Sequence, residues 1–148
     1  LSLDEMDKRI IRLLQRNARV PNTELARTLD VTETTIRNRV NRLLEDGLIE
    51  IVAVVDPKVI DASISAFLTL TVAFGEVEEV ARILHGRQEV RYLSLIIGRG
   101  QILTESFFRD HEHLLSFQNE FLATMPAVTH VETAIVVRVS KLSYEWEI

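Results

Sequence analysis

The sequence predicts an α+β protein built in two parts, a small all-helical domain followed by an antiparallel sheet covered by two helices. Three observations predict it. Between Asn22 and Ile49 the chain reads NTELARTLDVTETTIRNRVNRLLEDGLI, a short helix, a tight turn and a longer helix. Beyond Gly47 the apolar period changes from three or four residues to two, the change that separates helix from half-buried strand. The second part then runs strand, helix, strand, strand, helix, strand.

Each element follows from its residues. Ser2–Asn17 is predicted helical, because Leu3, Met6, Ile10 and Leu14 recur at helical spacing and Ile11 and Leu13 widen the stripe. Ser2 with Glu5, or Asp4 with Asp7, provides the start, and an acidic first turn suits the helix dipole. Pro21 closes the connection, and Asn22 is the expected N-cap of a helix through Leu29. Thr32 is the expected cap of the third helix, with Ile36, Val40, Leu43 and Leu44 as its buried stripe. Gly47 stands where a left-handed C-terminal residue is needed.

Leu48–Val55 reads as a strand leaving this domain, and Asp56-Pro57 punctuates a linker. Along Ile64–Phe74, Ala66, Leu68, Leu70, Val72 and Phe74 alternate with Ser65, Phe67, Thr69 and Thr71, the pattern of a strand. Glu76–Arg87 is helical on Val77, Val80, Ala81 and Leu84. Val90–Ile97 and Gln101–Phe108 are two strands joined by a hairpin at Gly98-Arg99-Gly100. Asp110–Thr124 carries a helical stripe of His111, Leu114, Leu115, Gln118, Phe121 and Leu122, continued by Met125. Pro126 stops it before a last strand, Val128–Ser140. The order β-α-β-β-α-β is the ferredoxin-like split motif. The expected division is residues 1–50 for a winged-type helix-turn-helix, 51–63 for strand and linker, and 64–148 for the ferredoxin-like domain.

Composition narrows the chemistry. The chain has 148 residues and no cysteine, which excludes disulfides, thiolate metal sites and a cysteine nucleophile. No apolar run reaches the roughly 18 residues of a membrane span and no signal-peptide pattern opens the chain, so a cytoplasmic protein is expected. The net charge of −5 conceals a local excess. Between residues 16 and 42, six arginines face Glu24, Asp30 and Glu33, and this footprint surrounds the helix-turn-helix.

A helix-turn-helix points to double-stranded DNA. At about 100° per residue, the face opposite Ile36, Val40 and Leu43 holds Thr34, Asn38, Asn41 and Glu45, with Thr35 beside it. Thr34, Thr35 and Asn38 are the candidates for base edges, since Asn can bridge adenine N6 and N7 and Thr methyls pack on thymine. Arg37 and Arg39 project from the flanks and, with Arg42, are the candidates for phosphate.

Other constellations are weaker. His111-Glu112-His113 has a spacing that parts two histidines on a helix, so no metal is expected. No Gly-rich phosphate loop or nucleophile signature occurs, and no cofactor is predicted. Tyr92, Phe107 and Phe108 fit a core or an interface.

The residues Leu3-Asp4-x-x-Asp7-x-x-Ile10-Ile11-x-x-Leu14, Asn22-x-x-Leu25-Ala26, Thr32–Val40 and Arg42-Leu43-x-x-x-Gly47-x-Ile49, followed by Gly98, Pro126-x-Val128 and Thr133, resemble the Lrp/AsnC family of transcription regulators. The resemblance runs nearly end to end. It implies sequence-specific DNA binding, homodimers through the sheet, assembly to octamers and a small-molecule effector bound at the loop Gly98, Arg99, Gly100 and Gln101. Where the family usually has Gly, this chain has Asp30 and Asp61; Asp tolerates the left-handed region, so the backbone path is expected to survive. Gln101 stands where the family usually has Asp. Its lack of a carboxylate argues against an amino-acid effector, with Glu105, Asp110 and Glu132 as candidate substitutes. Two rivals remain. Sirohaem decarboxylases share the architecture but carry a His-Asn-Tyr stretch where this chain has Val90-Arg91-Tyr92-Leu93. An effector-independent architectural DNA-binding protein is the other.

Overall fold

A computed structural model describes residues 2–148, except for the side chain of Lys58. Leu1, the first residue of the expected helical domain, lies outside the described residues. The backbone groups into two compact units: the residues up to Val54 together with Lys141–Ile148, and Val55–Ser140.

The first unit holds three helices, α1 (Glu5–Arg16), α2 (Asn22–Leu29) and α3 (Glu33–Glu45). Of the two starts open to α1, the structure uses Asp4 with Asp7: Asp4 accepts the Asp7 N–H at 2.8 Å while Asp7 accepts the Asp4 N–H at 3.2 Å. This reciprocal capping box satisfies two backbone donors that the first turn leaves unpaired. Asn22 is not the N-cap of α2 but its first helical residue. Pro21 holds the cap position, and its carbonyl accepts the N–H groups of Glu24 and Leu25 at 3.0 and 3.1 Å. Asp30 ends α2 in the left-handed region at φ 57°, as does Asp61 in the linker. Thr32 caps α3, and Gly47, at φ 65°, ends it in a Schellman motif, with Leu48 N–H on the Leu43 carbonyl and Gly47 N–H on that of Leu44. Ile10, Leu14, Leu25, Leu29, Ile36, Val40 and Leu43 make the core. Leu44, expected in the stripe, is exposed.

The strand expected over 48–55 does not form. Among the described residues no backbone hydrogen bond ties 50–55, and Ile51, Val52, Val54 and Val55 lie exposed. The sequence has strand character, but a strand exists only by pairing, and no free edge meets this one.

The second unit is a four-stranded antiparallel sheet of β1 (Ile64–Val72), β2 (Val90–Leu95), β3 (Ile102–Phe108) and β4 (Val128–Ile135), in the order β2-β3-β1-β4. Its helices are α4 (Val77–His85) and α5 (His111–Ser116), the latter continued by a wide π turn over Phe117–Phe121 and a 3₁₀ turn over Leu122–Thr124. The inward-facing residues Ala66, Leu68, Leu70 and Val72 of β1 and Ile102 and Phe108 of β3 pack with Val80, Leu84, Leu114, Phe117, Leu122 and Met125. This is the ferredoxin-like arrangement.

Three strands stop short of their expected ends. β1 ends at Val72, where its register with β4 shifts. Phe74 lies wholly exposed before Gly75 turns the chain at φ 86°. β2 ends at Leu95 and β4 at Ile135. The stripe of the last helix also differs: His111 and Leu115 are exposed, while Phe117 is buried. Phe117 meets Phe108 at a centroid distance of 5.3 Å, and Phe108 meets the His113 ring edge-on at 5.4 Å. This aromatic stack, followed by the π turn, rotates the buried face away from His111 and Leu115.

The turn between β2 and β3 is pressed against β1. A Cβ added at Gly100 would stand 2.6 Å from the Leu70 carbonyl oxygen and 2.8 Å from Thr69 Cγ2, so only glycine fits. Gly100→Ala is therefore expected to destabilise the protein by about 1–3 kcal/mol, read as a lower midpoint in urea.

Candidate DNA-reading helix and effector loop

The first candidate site is the exposed side of α3. Thr34 and Asn38 lie on it one turn apart, exposed and without a side-chain partner among the described residues, and Asn41 extends the row. Thr34 to Asn41 spans about 10 Å at 1.5 Å per residue, a length suited to the major groove. Thr35 differs from this pair. It is half-buried, and its hydroxyl stands 2.8 Å from that of Thr32, so it belongs to the helix cap.

The arginines divide in the same way. Arg37 pairs with Glu33 at 2.9 Å one turn back, and both side chains are about half exposed. Such a pair contributes little and exchanges readily for another anion. Arg39 and Arg42 do not project freely from the flanks as the sequence suggested. Arg39 Nη1 donates to Asp4 Oδ2 at 2.6 Å and to Asp7 Oδ1 at 2.8 Å, while Arg42 Nη2 donates to Asp7 Oδ2. Asp7 is 0% exposed. Two of the three arginines of α3 are thus drawn back onto the first turn of α1. Arg27, in the last turn of α2, is exposed and makes no ion pair or side-chain hydrogen bond among the described residues. It was legible only as part of the basic footprint.

Burial opposes ionisation of Asp7, but the hydrogen bonds from Arg42 and Arg39 outweigh it and hold the carboxyl below its ordinary value of 3.8. Asp4 is also lowered, first by the Asp7 N–H and then by Arg39.

The second site is the loop between β2 and β3. Ile96 N–H bonds to the Gln101 carbonyl at 2.9 Å, and Gln101 N–H to the Leu70 carbonyl at 2.9 Å. The Gln101 side chain is turned inward, its Oε1 accepting the Val72 N–H at 2.8 Å where β1 loses register with β4. Thr71 Oγ1 donates to the Arg99 carbonyl at 3.3 Å. Gly98 and Arg99 are exposed, Gly100 is buried, and the Arg99 guanidinium has no partner among the described residues. Of the candidate acids, Asp110 caps α5 by accepting the His113 N–H at 2.7 Å. Glu105 sits on the outer sheet face in register with Phe67 and Tyr92. Glu132 stands opposite Thr69, one residue from the Leu70–Ile102 pair beside the loop.

Elsewhere, a cavity of about 300 Å³ is lined by Arg87, Glu89, His113, Phe117 and Phe121 among others. Its charges are already matched: Arg87 pairs with Glu89 at 2.9 Å and lies 4.3 Å over the Phe121 ring, and His113 Nε2 is 3.3 Å from Glu89. Among the described residues no three His, Asp or Glu converge as a metal would need, and no helix is long and apolar enough to cross a membrane.

With a tri-helical reader in one unit and a ferredoxin-like sheet in the other, the chain has the architecture of a two-domain DNA-binding regulator. An AsnC-type helix-turn-helix model matches residues 3–44, and an Lrp/AsnC ligand-binding-domain model matches residues 65–146. The chain belongs to the Lrp/AsnC family of DNA-binding transcription regulators. It is similar to the HTH-type regulator FL11 of Pyrococcus abyssi, at 31% identity over 98% of this chain and 96% of the relative. It is also similar to LrpA of Pyrococcus horikoshii, at 33% over 90% and 96%. Among solved structures, AsnC of E. coli superimposes with a TM-score of 0.89 at 23% identity, covering 96% of this chain and 97% of that one. A Neisseria meningitidis regulator in complex with L-methionine gives 0.90 at 21%, covering 99% and 97%.

The lowered carboxyls tie helical-unit stability to pH. A group whose folded pKa is depressed contributes above its unfolded pKa and loses that contribution as pH falls through the folded value. Asp7→Asn is expected to cost about 3 kcal/mol near neutrality and to flatten the loss of stability below about pH 4. Urea melts of both proteins between about pH 2 and 7 read this; parallel curves would contradict it.

Proposed function

We propose that this regulator reads its operator through Thr34 and Asn38 of α3, with Asn41 in reserve, and grips phosphate through Arg37 and Arg27. The carrying observation is that Thr34 and Asn38 are the exposed, unpartnered polar side chains near the N-terminus of α3, the end that enters the groove in helix-turn-helix proteins. The hydroxyl of Thr35 and the guanidinia of Arg39 and Arg42 serve the fold instead. The protein acts in the cytoplasm by binding, without catalysis. The family models and the named relatives support this over a sirohaem-decarboxylase-like enzyme.

The regulator acts as a homodimer that assembles further, to an octamer or a similar ring. Two features support a second copy of the chain. The outer sheet face carries Phe67, Tyr92, Leu103 and Phe107 with no helix over them, and the apolar stretch 50–55 has strand character but no pairing partner. A two-fold dimer fits half-sites about one helical turn apart.

The loop Gly98–Gln101 receives a small-molecule effector, with Arg99 as its charged contact. The match to a ligand-binding domain and the L-methionine complex of the Neisseria protein support an effector site in this unit. Gln101 does not present a carboxylate for an ammonium group, and its Oε1 is already occupied by Val72 N–H. An anionic or neutral metabolite therefore suits the loop better than a free amino acid.

Footprinting on the region upstream of the protein's own gene, with and without a metabolite pool, tests DNA reading. Asn38→Ala is expected to narrow the gap between operator and mismatched DNA by about 1–3 kcal/mol. Arg37→Ala is expected to weaken all sequences alike, lowering the salt slope by about 0.9. No protection at moderate salt would contradict the reading. In a thermal-shift screen of metabolites, Arg99→Ala should abolish the shift given by any hit and leave the unliganded midpoint unchanged. A screen without hits would favour the effector-independent architectural protein.

A further inference from the structure

Three arginines lie on α3, yet only Arg37 is offered to solvent on terms that phosphate can match. Its partner Glu33 is exposed, one turn away, and water already weakens their attraction. Arg39 and Arg42 share a partner of another kind. Asp7 is removed from solvent, held by the capping box with Asp4, and fixed on α1 rather than on α3. Arg39 and Arg42 are part of what covers this carboxylate, so their exchange to phosphate would strip Asp7 of both counter-charges and of two of its three hydrogen-bond donors at once. Asp4, on the surface, adds a second acidic contact to Arg39.

Phosphate contacts carry no sequence information, and each one strengthens binding to every duplex. Withholding two of them lowers affinity for every duplex alike, and with it the salt dependence of binding, while leaving Thr34 and Asn38 free to read bases. We propose that Asp7, assisted by Asp4, is a positioning residue that limits the phosphate contacts of this regulator and so sets its general DNA affinity and salt dependence, acting from outside the reading helix by keeping Arg39 and Arg42 off the DNA backbone. The inference rests on α3 being the helix that enters the groove.

The test uses the full chain and fluorescence anisotropy with two duplexes, one carrying the footprinted sequence and one of random sequence, between about 50 and 200 mM salt. In Asp7→Asn the amide keeps the shape but releases the arginines. The slope of log affinity against log salt on random DNA is expected to steepen by about 0.9 to 1.8, one unit of charge for each arginine freed. The footprinted duplex is expected to bind more tightly by the same factor, so that the preference between the two stays as it was. Arg42→Gln, which leaves Arg39 on Asp7, is expected to leave the slope on random DNA unchanged.

A purely structural Asp7 would lower the melting temperature and leave the slope as it was. That result, in a variant with native circular dichroism, overturns the proposal, as does a slope shallower by about 0.9 in Arg42→Gln. If Asp7→Asn fails to fold, Arg42→Gln decides alone. Asn38→Ala separates the two levels of the argument. Loss of discrimination there, with an unchanged slope in Asp7→Asn, rejects this role and keeps α3 as the reader. Absence of DNA binding by the unaltered chain rejects both.

Discussion

The helical unit depends on one buried carboxylate. Asp7 is out of contact with water, and taking a charge there costs several kcal/mol before any partner is counted. Donors from the Asp4 backbone N–H, Arg39 and Arg42 together offset that cost. The apolar contacts of Ile10, Leu25, Ile36 and Leu43 hold the three helices together but are non-directional. The direction comes from Asp7, because its two arginines lie nearly one turn apart on α3 and can both reach it in only one setting of that helix. The orientation of the exposed row Thr34–Asn38 is thus fixed from α1.

The sheet unit solves a similar problem with neutral groups. The loop after β2 has little apolar surface of its own, yet it is held from three sides. Gly100 lies flat on the Leu70 carbonyl, Gln101 N–H bonds that same carbonyl, and the Gln101 side chain takes the Val72 N–H left free by the register shift of β1. A bulge usually costs a ladder hydrogen bond; here the carboxamide restores it. Gln101 therefore has a structural reason to be where it is, and the exposed charge of the loop is that of Arg99.

Much of this was legible because it was local. Caps, the left-handed positions at Asp30, Gly47 and Asp61, and the alternation in β1 and β3 are written within a few residues of where they act. The element order alone gave the sheet topology. What could not be read was set by partners distant in the chain. Arg39 and Arg42 look like free cations on a helix until Asp7, 32 and 35 residues away, is brought beside them. Residues 48–55 satisfy every local criterion for a strand and lack only a neighbour. Leu115 fits the helical period better than Phe117, but Phe108 from the adjoining strand selects the aromatic ring. Of the three base-edge candidates, Thr34 and Asn38 are exposed, whereas the Thr35 hydroxyl meets that of Thr32; a cap hydroxyl and a free one look alike in sequence.

The closing segment 141–148 has a consequence of its own. Arg12 Nε and Nη2 both donate to the Ile148 carbonyl, at 3.1 and 2.7 Å, and Gln15, with its amide turned, pairs with the backbone N–H and carbonyl of Trp146. The segment groups with the helices rather than with the sheet that precedes it in the chain. During synthesis, at roughly 5–20 residues per second, the helices emerge first and the sheet follows. The surface of α1 around Arg12 and Gln15 must wait for all 86 residues of the Val55–Ser140 unit to leave the ribosome before the segment that covers it exists. A helix made before the sheet is finished only after it.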